Sequence, residues 1–252
     1  MVRVERNGPV TRLVLDSPHN RNAMSTRLVG ELNFALREIE GDQSVRAVIL
    51  SAEGPVFSSG ADLVERLESP GAATQSAFPQ VLHRIVHLRQ PVVAEVNGHA
   101  RAGGIGLIAA CDLAVAPTTA TFAFSEVRVG VTPAIIAVPA LRVMTRRAFA
   151  RYALTGESFS AHEARAAGLL TATVDATEID EWVNEVIDSI LHSSPSAIGL
   201  TKRLFEVVWE QDWDQAVGTA SGLSAEAFAS VDAREGIDAF LQKRQPSWVT
   251  ER

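Results

Sequence analysis

The chain is poor in several things, and each shortage excludes a class of protein. It has one cysteine, Cys111, in 252 residues, so no internal disulfide can form, and a reducing compartment fits. The neighbours of Cys111 are apolar, which argues against a reactive thiolate. No stretch approaches the ~18 apolar residues that a membrane span requires. The opening MVRVERNGPV lacks the apolar centre of a signal peptide, so a cytoplasmic location is expected. Positive charge is also short: 23 Lys and Arg against 30 Asp and Glu leave a net charge of -7, so no nucleic-acid partner is expected. There is no G-x-G-x-x-G after a strand, no G-K-[ST], no H-E-x-x-H and no G-x-S-x-G. Dinucleotide binding, phosphate-loop chemistry, a zincin site and a hydrolase elbow therefore have no support. His83 and His87 are spaced i, i+4 but lack the accompanying glutamate, so they read as a helix surface and no metal is expected.

What remains is ordinary for a globular protein, with 46% hydrophobic and 21% charged residues. Val2 to Glu5 and Val10 to Leu15 flank Asn7-Gly8, which predicts a hairpin. Leu28, Leu32, Ala35, Leu36 and Ile39 recur at helical spacing. Arg46 to Ser51 predicts a short buried strand, followed by a loop from Glu53 to Asp62 and a Gly/Ala/Ser-rich segment around Ser69 to Ser76. Val81, Leu82, Ile85 and Leu88 mark a further helix. Leu113 to Ala116 and Thr121 to Phe124 read as strands around a turn, and a helix carrying Pro133 and Pro139 leads into another from Arg146 to Leu154. Ser160 to Glu163 has the capping-box pattern, with Gly168 as a stop. From Glu178 the pattern is helical, interrupted near Pro195 and Ser230. Strands alternating with helices predict an α/β core, with a helical tail after it.

One stretch organises the rest: Pro91 to Asp112, PVVAEVNGHARAGGIGLIAACD. Val92 to Val96 predicts a buried strand, and Gly103, Gly104 and Gly106 open an apolar helix from Ile105 to Cys111. Glycines at a strand-to-helix passage let backbone approach a ligand, and the free N–H groups of a helix start receive developing negative charge.

These residues carry a resemblance. V-N-G-H-A-R-A-G-G-I-G-L-x-x-A-C-D is similar to the signature of the enoyl-CoA hydratase/isomerase (crotonase) superfamily. P-x-x-R-N-A-M near residue 20 and E-G-x-x-A-F-x-x-K-R near the end agree with it in order, so the likeness runs through nearly the whole chain. The resemblance implies an α/β fold in which β-β-α units wind as a spiral over residues 1–190. A helical trimerisation region would follow over residues 191–252. It implies an acyl-CoA thioester substrate, no separate cofactor since CoA belongs to the substrate, and a homotrimer or dimer of trimers.

It also assigns roles. An enolate formed beside a thioester needs two fixed donors at its oxygen, each worth ~2.7–4 kcal/mol. Position by position those are the backbone N–H groups of Ala61 and Gly103. Glu126, in F-A-F-S-E-V-R-V-G, matches a catalytic glutamate, and the apolar neighbours Phe122, Phe124 and Val127 are expected to raise its pKa. Arg21 matches a contact to the CoA phosphates, with Ala23 beside it. Asp62, Leu63, Gly104 and Gly106 belong to the substrate-binding loops. Phe240 and Lys243 match elements that complete a neighbouring subunit's CoA site. The hydratases of the superfamily carry a second glutamate where this chain has Gly106, and a glycine cannot hold or deprotonate water. One base suffices to shift a double bond from the 3- to the 2-position, so isomerisation is mechanistically favoured. Hydration remains open if another group, or an anion in the space left by Gly106, orients the water. Thioester hydrolysis stays open as well, as does a role as an acyl-CoA binder with little catalysis. Asp62 and Glu65 are poor candidates for the missing base, and His99 reads as structural.

Overall fold

The computed structural model describes residues 1–68, 77–209 and 211–249. The Gly/Ala/Ser-rich segment from Ser69 to Ser76 lies outside the described residues.

The hairpin forms as the Asn7-Gly8 pair requires, with Gly8 at a φ of 56° between β1 (Val2–Asn7) and β2 (Val10–Leu15). β2 then pairs in parallel with β3 (Ala47–Ala52), β3 with β5 (Val92–Glu95), and β5 with β7 (Leu113–Pro117). β10 (Ala172–Val174) closes this six-stranded sheet beside β7. A second, four-stranded sheet contains β4 (Val56–Ser58), β6 (His99–Arg101), β8 (Thr121–Ala123) and β9 (Phe159–Ser160). The order is telling. β3 and β4, β5 and β6, and β7 and β8 are successive pairs in which the first strand enters the large sheet and the second the small one. A helix follows each pair, which gives the spiral of β-β-α units.

The main core lies between the two sheets and the helices α1 (Thr26–Gly41), α3 (Phe78–His87) and α4 (Gly103–Ala110), with α2 (Leu63–Glu68) outside it. Leu28, Leu32, Leu36 and Ile39 form the buried stripe of α1, whose first turn is capped by the Ser25 hydroxyl accepting from the Leu28 N–H at 3.3 Å. The other face of the large sheet packs Ala47, Ile49, Val93 and Val115 against Ile179, Val183 and Ile187 of α8 (Ile179–Leu191). Parallel strands buried on both faces read as continuous apolar runs, which explains Val92-Val93-Ala94.

α5 (Ala134–Val143) carries Pro133 as its cap and Pro139 inside, and α6 (Arg146–Thr155) follows it. The capping box at Ser160 and Glu163 opens α7 (Ala161–Ala167), and Gly168 closes it in the left-handed conformation. The tail runs as α9 (Pro195–Trp209), α10 (Trp213–Ala229) and α11 (Val231–Leu241). Two sets of polar contacts tie this tail to the core. Lys202 of α9 meets Asp112 at 2.7 Å and donates to the Gln90 carbonyl at 3.0 Å. Arg46 donates to the carbonyls of Leu191, Ser193 and Trp248 at 3.1, 2.6 and 2.6 Å. Phe205, Trp213, Phe228, Phe240 and Leu241 leave the tail's outer surface strongly apolar.

Candidate active site

Two loops meet at the start of α4. On one side, Ser58 ends β4 and its buried hydroxyl accepts from the Gly60 N–H at 3.2 Å. Gly60 has a φ of 92°, a conformation that favours glycine, and a Cβ there would lie 2.7 Å from that of Ala102 and 3.5 Å from the Gly103 nitrogen. On the other side, Ala102 holds a φ of 47° and a ψ of -115°, sparsely populated for a residue with a side chain. Its N–H donates to the Ala123 carbonyl at 3.1 Å, which fixes it to β8. This strained residue aims the first turn of α4. Among the described residues, no acceptor within the chain is paired with the N–H of Ala61 or of Gly103. Both residues are half-buried, and Met24 and Phe78 wall the space beside Gly103.

The segment Pro18 to Met24 holds the first loop in place. Asn22 is fully buried at a φ of 53°. Its side-chain amide donates to the carbonyls of Glu53 and Val56 at 3.0 and 2.8 Å, while its oxygen accepts from the Ser17 N–H at 2.7 Å. The Ser59 N–H donates to the Arg21 carbonyl at 3.0 Å, and Met24 bridges to Ala61 as a short parallel pairing. Sequence reasoning singles out Arg21 and Ala23 and misses Asn22. The Asn residue stands inside the same motif, and two successive left-handed residues are not signalled by composition.

Ala23 is buried, whereas the Arg21 side chain is exposed. Both carboxylate oxygens of Asp62 are engaged within the chain, one accepting from the Asn20 amide at 3.2 Å and one from the Glu65 N–H at 3.2 Å. Glu65 in turn accepts from the Thr26 N–H at 2.8 Å. Leu63 is exposed on α2. Gly104 is buried against Ser58, where a Cβ would come within 2.8 Å of the Ser58 Cβ. Phe240 and Lys243 are not brought to this site by contacts of the described chain. They stand exposed at the end of α11, which packs against α9 and α10.

Glu126 begins a short 3-10 turn, Glu126–Val129, after Phe124 and Ser125, which follow β8. It is half-buried, and one carboxylate oxygen is wholly buried with no hydrogen-bond partner. Burial raises its pKa above the ordinary carboxylate value, opposed by its own backbone N–H. The expected apolar setting needs one correction. Phe122 and Phe124 are buried, but Val127 is exposed and adds nothing to that setting. Phe124 stacks edge-on with Phe149 at 5.2 Å, so the strand before the glutamate rests on an aromatic cluster.

The space at Gly106 is not vacant. A Cβ built there would lie 2.5 Å from Cγ2 and 2.9 Å from Cβ of Ile136, a buried residue of α5. An anion lodged beside Gly106 is therefore excluded by packing. His99 accepts from the Thr121 N–H at 3.2 Å and so braces the small sheet. Burial pushes the Cys111 thiol pKa up, consistent with an inert core residue. His83 and His87 stack at 3.8 Å on α3, and among the described residues no three His, Cys, Asp or Glu side chains gather as a metal site. No helix of the described residues is long and apolar enough to cross a membrane.

Comparison with known proteins points one way. The family model described as enoyl-CoA hydratase/isomerase matches residues 5–251. The chain is 35% identical over 246 residues to human mitochondrial enoyl-CoA hydratase domain-containing protein 3, covering 96% of this chain and 81% of that one. The crystal structure of the human protein superposes with a TM-score of 0.93 at 33% identity, covering 98% of this chain and 99% of that one. That of an enoyl-CoA hydratase from Mycobacterium smegmatis gives a TM-score of 0.92 at 33% identity, covering 99% of each.

Proposed function

Because the chain belongs to the enoyl-CoA hydratase/isomerase family, we propose that it is an acyl-CoA enzyme that isomerises 3-enoyl to 2-enoyl thioesters with a single base. The thioester oxygen sits between the N–H groups of Ala61 and Gly103. Glu126 takes a proton from C2, and the electron pair of the broken C–H bond moves into the thioester as a dienolate, which keeps the double bond between C3 and C4 until C4 is protonated. Returning the proton to C4 leaves the double bond between C2 and C3. Arg21 holds the CoA phosphates, and Ala23, Asp62, Leu63, Gly104 and Gly106 form or hold the loops around the acyl thioester. Phe240 and Lys243 serve the site of a neighbouring copy, with residues 191–252 as the trimerisation region. The exposed apolar surface of the tail supports that assembly. A cytoplasmic setting is part of this reading, although relatives include mitochondrial proteins by name.

The observation that carries the reading is the Glu126 oxygen, buried without a partner. Buried polar groups are almost always paired, and an unpaired one at a loop rim is suited to bind something absent from the chain. Paired assays on one preparation test it: appearance of conjugated-thioester absorbance from a 3-enoyl-CoA, and its loss on hydration of a 2-enoyl-CoA. Isomerisation abolished by Glu126→Gln supports the reading. Brisk hydration, the competing reaction, would overturn it.

A further inference from the structure

Resting on that reading, we propose that Ile136 is the residue that decides how this site treats water: its side chain seals the face of α4 beside the oxyanion donors and confines the site to proton transfer. Gly103 and Gly106 are three positions apart on α4 and therefore share a face. The space that a side chain at position 106 would take is filled by Cγ2 and Cβ of Ile136, at 2.5 and 2.9 Å from the place of a Cβ. Ile136 itself is 4% exposed, so it is fixed in the α4–α5 interface.

The wall one turn from the Gly103 N–H is thus aliphatic carbon. Adding water to C3 of a conjugated thioester requires that the oxygen be held and relieved of a proton. A hydrocarbon surface offers neither an acceptor nor a base, and a water placed there would lose hydrogen bonds. Moving one proton between C2 and C4 through Glu126 needs no such water. The substrate class that follows is the unconjugated 3-enoyl thioester, with its 2-enoyl isomer leaving unhydrated.

The test compares the full chain with Ile136→Ala and Ile136→Thr, reading the ratio of hydration to isomerisation and the melting transition. The Thr variant keeps a branched side chain and the contact carbon Cγ2, so it preserves packing while adding a hydroxyl. In the Thr variant the ratio is expected to rise by at least about tenfold, the scale on which single pocket groups discriminate, while the Ala variant, whose wall is still hydrocarbon, should leave it unchanged. An unchanged ratio in the folded Thr variant, or a rise in the Ala variant as large as in the Thr variant, with wild-type isomerisation intact, overturns the role of Ile136 and leaves the isomerase reading standing. A wild-type chain that hydrates faster than it isomerises, or does neither, overturns the isomerase reading and this inference together.

Discussion

The Met24 N–H donates to the Gly60 carbonyl at 2.7 Å, joining two segments that lie 36 positions apart. The bond turns the Gly60-Ala61 peptide so that its N–H is not consumed by the Met24 segment. An oxyanion donor on a loop is useful only if it does not have to reorganise when charge develops. Here the loop is braced from outside by Asn22, Met24 and Ser58.

Asn22→Ala is therefore expected to cost about 2–4 kcal/mol, since it leaves the carbonyls of Glu53 and Val56 without their donor. Urea unfolding gives the stability change, and a parallel fall in kcat reports the slackened loop. A stability loss below about 1 kcal/mol, on the scale of an ordinary surface change, would refute the bracing role.

Glu126→Gln separates chemistry from stability. The isomerisation rate should drop by about 10²–10⁴-fold, the usual worth of a positioned base. Burial raises the folded pKa above the unfolded one, so the favourable contribution of this group is fully present below the ordinary carboxylate pKa. It is lost as pH rises through the raised value. The Gln variant should then melt no lower than wild type at neutral pH, with any advantage vanishing in acid. Thermal melts at the two pH values decide it. By the same shift, the acid limb of kcat/KM should lie above an ordinary carboxylate pKa.

Gly106→Ala forces a methyl group to within 2.5 Å of Ile136 Cγ2 and should destabilise by about 1–3 kcal/mol through overpacking. Combining it with Ile136→Ala should recover part of that loss. A double-mutant cycle by chemical denaturation measures the coupling, and additivity of the two changes would show that the contact is not real.

Lys202→Met removes the cation from a carboxylate that is otherwise held by the Val92 N–H at 2.7 Å. Leaving Asp112 buried without its partner should cost about 3–5 kcal/mol. Adding Asp112→Asn should restore much of it. If the single change is neutral, α9 is held to the core by apolar packing alone.

Much of the fold is legible in the chain because its signals are local. Asn7-Gly8, the Ser160 to Glu163 capping box and the apolar stripe of α1 each act within a few residues. The proposed donors at Ala61 and Gly103 and the proposed base at Glu126 stand in compact motifs. β4 and β6 are not legible, because three-residue strands gain their bonds from each other across the chain. Val56-Phe57-Ser58 lies in what reads as a loop, and His99-Ala100-Arg101 alternates without a clear apolar face. Nor does anything near Gly106 announce Ile136, since a glycine facing an isoleucine 30 positions later is a matter of tertiary packing. Nothing in the sequence around Lys202 signals its partner, and only the fold places it against Asp112.

Arg46 and Trp248 are 202 positions apart, yet the guanidinium in β3's approach holds the Trp248 carbonyl. During synthesis, that guanidinium emerges from the ribosome long before its last acceptor exists. The spiral can close early on its own sheet contacts, but this latch waits until residue 248 has been made. Non-local closures of this kind are slow and leave apolar surface uncovered in the interval.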